Sequence, residues 1–202
     1  MKRMLLTQVS LGVLFLIGAA YVAVAGVLPA LSADTDATAS ADKIARGKYL
    51  VTIAGCNDCH TPLKVGPNGP EPDMTRMLSG HPDTIPVNAP APVPNAPWLV
   101  TTTATTTAWS GPWGVSFTAN LTPDAETGLG RWTFRNFKDT IRTSRHMGRG
   151  RAILPPMPIP MYKHMTDEDL EAVFTYLKSI PAVSNRVPEP LPPASASVAA
   201  HP

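Results

Sequence analysis

Apolar and polar positions along the chain change period several times. Val9–Ala30 is a run of 22 residues without a charge, 17 of them apolar. As a helix rising 1.5 Å per residue it reaches about 33 Å, enough for a hydrocarbon core of about 30 Å. It has no polar face, which argues for a membrane helix over a buried core helix. Residues 32–41 are Ser, Ala, Thr and Asp, a tether. Asp42 is then a candidate N-cap, and Ile44, Gly47, Leu50, Val51 and Ala54 recur at helical spacing up to Gly55. A second helix is expected over Arg131–Arg145, with Phe134, Phe137 and Ile141 on one face. A third begins at Thr166 as N-cap, with Asp169 closing a capping box and Asp167 and Glu168 suiting the positive end of the dipole. Leu170, Val173, Phe174 and Leu177 form its buried stripe, and Pro181 stops it.

The stretches between these helices read differently. Residues 61–97 and 150–163 are crowded with Pro or Gly and predict irregular chain. The Thr-rich Trp98–Thr107 and the alternating Trp113, Val115 and Phe117 suggest a small two-stranded hairpin. Residues 187–202 are Pro, Ala and Ser without periodicity, a disordered tail. The pattern as a whole predicts an anchor or signal peptide over 1–31, a tether over 32–41, and one mostly α domain over 42–186 with long Pro-rich loops.

Composition sharpens this. Proline numbers 23 of 202 residues, too many for a chain that is chiefly regular helix or sheet. No Gly-X-Y period exists, which excludes collagen, and two cysteines cannot make a disulfide scaffold. The formal charge of +2 comes from Lys2 and Arg3; the remainder carries 15 basic and 15 acidic residues. Nucleic acid is therefore a poor partner. Lys2 and Arg3 also place the start of the apolar run in the cytoplasm, so the domain is exported. The rival to an anchor is a cleaved signal peptide, with Ala30 and Ser32 spaced for cleavage before Ala33.

The chemistry lies in Cys56-Asn57-Asp58-Cys59-His60, a Cys-x-x-Cys-His motif of the kind that attaches c-type haem. Two thiols at this spacing add across the two vinyl groups of one haem, and the adjoining His60 ligates the iron from beneath. The motif consumes both cysteines. A thioredoxin-like redox pair would want a βαβ context. A zinc site would want a second ligand pair, and His81, His146, His164 and His201 are scattered. A disulfide closing so short a loop would stabilise little.

With these residues in view, the chain resembles a class I c-type cytochrome. It is similar to monohaem cytochromes, and to single domains of multihaem subunits, that serve periplasmic alcohol and aldehyde dehydrogenases. The resemblance rests on Arg46–Val51 with Gly55–Pro62, Gly111-Pro112-Trp113-Gly114, Asn120–Asp124, Leu154–Pro158 and Met165–Leu170, and covers about residues 42–186. It implies an N-terminal helix crossing a C-terminal helix, with Gly47 permitting close approach and Phe174 or Tyr176 supplying an aromatic contact. It implies one covalent haem c on Cys56 and Cys59, with His60 and a downstream methionine as axial ligands. Met157, between Pro156 and Pro158, is the candidate; Met161 and Met165 are nearby, and His146 would make a bis-histidine site. It also implies that the carbonyl of Pro67, in Gly66-Pro67-Asn68, orients His60. Thr61–Gly130 is longer than in the smallest class I cytochromes.

The function so implied is electron transfer and not catalysis, from a periplasmic dehydrogenase to a terminal oxidase or another cytochrome. The haem domain would sit in the periplasm, tethered to the bacterial inner membrane, or free there if the leader is cleaved. The alternatives are a peroxidase-like haem enzyme with an open sixth position and a cytochrome subunit of a larger dehydrogenase complex. Arg131, Arg135, Lys138, Arg142, Arg145 and Arg149 recur every three or four residues. They form one stripe if the helix persists to Arg149. Such a stripe is a solvated face, a counter-charge for haem propionates, or a guide for an acidic partner.

The anchor is tested by fractionation. The protein is expected to sediment with membranes and to resist extraction by high salt. An N-terminus that sequences from near Ala33 on protein free in the periplasm would show a cleaved leader instead.

Overall fold

The computed structural model of the chain describes residues 37–88 and 99–193. The chain divides into two units, residues 1–42 and 43–202. Of the first, residues 37–42 are described and are helical. Among the described residues no helix is long and apolar enough to cross a membrane. The run Val9–Ala30 and the cleavage position before Ala33 lie outside the described residues.

Helix α1 covers residues 37–53, so Asp42 lies inside it and is not its N-cap. Helix α2 is Cys56–His60, α3 Phe134–Thr143, α4 Ile159–Tyr162 and α5 Asp167–Ser179. Between α2 and α3 lie five short strands. Strands β1 (Leu63–Gly66) and β2 (Gly69–Pro72) form an antiparallel hairpin, and β3 (Thr101–Thr102), β4 (Ala108–Gly111) and β5 (Gly114–Phe117) form a three-stranded sheet. The fold is thus partly helical, and "mostly α" overstated it.

The second unit is held by its ends. Gly47 lies where a Cβ would stand 2.0 Å from the Ala172 carbonyl oxygen and 2.7 Å from the Tyr176 Cβ. Only a residue without a side chain lets α1 approach α5 this closely. Leu50 and Val51 of α1 then join Leu170, Val173, Phe174 and Leu177 of α5 in one core, with Phe137 and Ile141 of α3. Of the two aromatics expected at this crossing, Tyr176 is the one against Gly47. Phe174 instead packs on Phe137 and Phe134, with ring centroids 5.5 and 6.2 Å away. Arg46 pairs with Asp169 and Lys43 with Glu171 along the rim.

The cap of α5 holds as expected, with Thr166 Oγ1 accepting from the Asp169 N–H. The return bond of a capping box is absent, because the Asp169 carboxylate accepts from Arg46 instead. Helix α3 is shorter than predicted. Thr133 caps it in a true box with Asn136, and Ser144 in the left-handed region (φ 59°) ends it. The basic stripe is therefore broken, since Arg145 and Arg149 lie beyond the helix.

Two loop readings change as well. Residues 61–97 are not wholly irregular: β1 and β2 pair around Pro67-Asn68, with the prolines of β2 at a hairpin edge. The later hairpin turns at Pro112-Trp113, pairing Ala108–Gly111 with Gly114–Phe117, so most of the Thr-rich stretch precedes it. Every residue of β5 is buried, so burial does not follow the alternation of Val115 and Phe117 with Gly114 and Ser116. Residues 187–193 do not begin a featureless tail. Leu191 bridges Val115 through both backbone hydrogen bonds and packs with Val187 on Ala108, Val115 and Phe117.

Gly47→Val is expected to destabilise the second unit by about 1–3 kcal/mol through overpacking, read as a lowered urea midpoint. Gly47→Ala should lie between it and the wild type. An unchanged midpoint for both would remove Gly47 from the crossing.

Candidate functional site

The haem motif occupies α2, directly after α1. Gly55 caps α2 and Thr61 ends it, its N–H bonded to the Asn57 carbonyl. The last residue, His60, is buried, and Cys56 and Cys59 are half-buried. All three line a cavity of about 540 Å³, within the range of cofactor pockets of about 300–1,000 Å³.

His60 is held by its far nitrogen. Its Nδ1–H donates to the Ala119 carbonyl at 2.8 Å, and Nε2 has no hydrogen-bond partner among the described residues. Burial lowers the imidazole's pKa, with the Ala119 bond opposing. The ring is thus neutral, with its tautomer set and one lone pair free toward the cavity. Pro67 does not provide the orienting carbonyl; it sits in the β1–β2 turn. The carbonyl that does comes from the chain after β5.

That carbonyl is fixed by a backbone sandwich. Gly80 N–H donates to the His60 carbonyl, His81 N–H to Thr118, and Leu121 N–H to Leu78. Gly80 has φ 78°, and a Cβ there would lie 2.4 Å from the Thr118 oxygen and 2.6 Å from the Ala119 carbonyl carbon. The Thr61 hydroxyl ties the same region by accepting from the Leu78 N–H and donating to Asn57. Asn120, in the Asn-Leu-Thr-Pro-Asp segment, is buried and bonds Thr122, Thr127 and the Val183 carbonyl.

Desolvation pushes the Cys56 thiol up to about 11 and the Cys59 thiol upward too. Raised thiols are poor thiolates, the reverse of a redox-active pair. Among the described residues no cluster of three or more His, Cys, Asp or Glu could hold a bare metal ion. The βαβ context of a thioredoxin-like pair is also missing, since the helix that carries the motif follows α1 and precedes a hairpin.

Met157 is half-buried and lines the same cavity. Its loop is tied by the Ser116 hydroxyl, which donates to the Pro155 carbonyl, and by the Ile159 N–H, which donates to Met157. Met161 is 71% exposed and does not line the cavity. Met165 does line it, as does His146, whose ring meets Trp132 edge-on at 5.1 Å. The Tyr162 hydroxyl donates to the Ala54 carbonyl, tying α4 to the turn before Cys56; burial raises it to about 12. His81 is buried away from this cavity, between Thr107 and the Ile85 carbonyl.

The basic residues divide. Lys138 and Arg142 pair with Asp167, and Arg142 also donates to the Lys163 and Met165 carbonyls. Arg131 pairs with Glu126 and Arg135 with Asp139. Two of the six stripe residues, Lys138 and Arg142, thus serve the contact with α5, while Arg131 and Arg135 pair locally. Sequence reasoning missed the Ala119 carbonyl, because any residue can present it; the left-handed Gly80 is its indirect trace.

No family model matches the chain. It is similar to one of the subunits of the nicotinate dehydrogenase of Pseudomonas putida, 35% identical over 81 residues, which are 40% of this chain and 7% of that protein. It is similar to the fructose dehydrogenase cytochrome subunit of Gluconobacter japonicus, 26% identical over 162 residues, 78% of this chain and 26% of that protein. It is also similar to the cytochrome c subunit of the quinone alcohol dehydrogenase of Gluconacetobacter polyoxogenes, 37% identical over 65 residues, 32% of this chain and 14% of that protein. The chain spans about a quarter or less of these relatives. The resemblance to c-type cytochromes associated with dehydrogenases is borne out.

Gly80→Ala is expected to cost about 1–3 kcal/mol for a non-glycine residue at positive φ and to disturb the His60 ring signals of the haem-loaded protein by NMR. Gly69→Ala, also at positive φ but with nothing within 4 Å, should leave those signals in place. Equal perturbation by both would mean that Gly80 does not act through Ala119.

Proposed function

We propose that this chain is an electron carrier in which Cys56 and Cys59 would hold one covalent haem c and His60 and Met157 would ligate its iron. The observation that supports this most is the buried His60, its Nδ1–H given to Ala119 and its Nε2 free in a cavity that the two thiols and Met157 also line. When bound, the haem supplies an iron that alternates between ferrous and ferric, and His/Met ligation raises its potential. The protein's part is to keep geometry constant. The Ala119 bond holds the imidazole, the Ser116 bond holds the Met157 loop, and the packed helices keep water from the ligands.

The names of the relatives support a role beside a dehydrogenase, as a separate carrier or as a subunit of a larger complex. In this reading the donor is a periplasmic dehydrogenase and the acceptor a terminal oxidase or another cytochrome. Val9–Ala30 anchors the chain in the bacterial inner membrane with the haem domain in the periplasm.

The ferric protein is expected to show the weak near-infrared band of sulfur-to-iron charge transfer. Met157→Ala should abolish it and open the iron to carbon monoxide and cyanide, while Met165→Ala should retain it. The opposite pattern would move the ligand to Met165. Release of haem from the denatured protein into acidified organic solvent would overturn covalent attachment.

A further inference from the structure

The segment 183–191, expected to be the end of the domain and the start of a tail, is pinned on both sides. At one end the Val183 carbonyl accepts from Asn120 at 2.8 Å, and the Val183 N–H donates to Thr122. Asn185 is fully buried: its side chain donates to the Ser79 and His81 carbonyls and accepts from Arg76 and the Asp83 N–H. At the other end Leu191 exchanges two backbone hydrogen bonds with Val115. Between the pins, Arg186, Val187, Pro188, Glu189 and Pro190 all line the large cavity. The segment is therefore a strap forming one wall of it.

The strap also brings charge. Of the described residues lining the cavity, only two are arginines, Arg151 and Arg186, and none is a lysine. Arg151 pairs with Glu189 of the strap at 3.5 Å. The Arg186 guanidinium makes no ion pair among the described residues, and its backbone N–H reaches Asp83 at 3.4 Å. The other titratable groups lining the cavity, beyond the thiols and His60, are Asp58, next to Cys59, Glu126, paired with Arg131, Glu189, Tyr162, and His146, which lies near both Arg151 and Glu189. Haem c bears two propionates as well as its two thioether positions. Carboxylates at the edge of a low-dielectric pocket require cations or donors.

We propose that Arg151 and Arg186 are the partners of the two haem propionates, and that the strap 183–191 exists to close this edge of the cavity. The inference rests on the haem reading above. An arginine beside a propionate cancels its charge, and positive charge near the iron favours the ferrous state. Glu189 meets Arg151 at the solvent-exposed rim, where water screens the pair and leaves the guanidinium available to a propionate.

The test uses the full-length, haem-loaded protein carrying Arg151→Gln, Arg186→Gln, both together, and Arg186→Lys. Haem should remain covalent by staining of the denatured chain, and the charge-transfer band should persist. The double variant should lower the midpoint potential by roughly a tenfold change in the ferric/ferrous equilibrium, about 59 mV for one electron. Its potential should also become pH-dependent at higher pH than the wild type, because a propionate without its cation holds its proton longer. Arg186→Lys should keep the wild-type profile. A potential and pH profile unchanged in the double variant would overturn the proposal, as would a fallen potential with no movement of the pH dependence. Should the double variant fail to accumulate, the single Arg186→Gln variant, altered at an exposed side chain, gives the same two readings and decides alike. Wild-type protein without covalent haem would overturn the haem reading itself, which the staining separates from these outcomes.

Discussion

Everything about the site depends on one hydrogen bond, from the buried Nδ1–H of His60 to the Ala119 carbonyl. An imidazole at the end of a five-residue helix could otherwise turn, titrate, or present either nitrogen. The bond removes those freedoms, and desolvation keeps the ring neutral. The carbonyl must then be held as firmly as the ring. Here that falls to backbone: residues 78–81 lie against 118–121 so closely that position 80 admits no side chain.

A second constraint works at longer range. Gly47 sets the crossing of α1 and α5, and the crossing sets where α1 delivers α2 and its thiols. The same core carries α3, whose Arg142 reaches the carbonyls of Lys163 and Met165 before α5. The polypeptide that follows Met157 is thereby tied to α3, and Tyr162 adds a direct tie to Ala54, just before the first thiol.

What could be read from the sequence follows from which interactions are local. Cys56, Cys59 and His60 announce themselves by spacing, and α5 by its cap and stripe, since a helix records its own period. Met157 stands out by its flanking prolines, and it does line the cavity. The orienting carbonyl was not legible, because a main-chain oxygen has no letter; Pro67 was expected in its place and Ala119 holds it. The stripe from Arg131 to Arg149 needs a helix that persists to Arg149, and Ser144 ends it earlier through a left-handed conformation that composition does not signal. Asp169 could serve either its own cap or Arg46, and only the fold decides which. The hairpin at 63–72 hid behind prolines, and the strap behind a composition typical of tails.

The strap also divides the cavity wall by what holds it. Its residues follow every described helix, and the apolar core of α1, α3 and α5 is complete without them. What fixes them is largely polar, the side chain of Asn185 and the backbone of Leu191. One edge of the bowl that holds the two thiols and His60 is therefore kept by a few hydrogen bonds, while the rest is kept by helix packing.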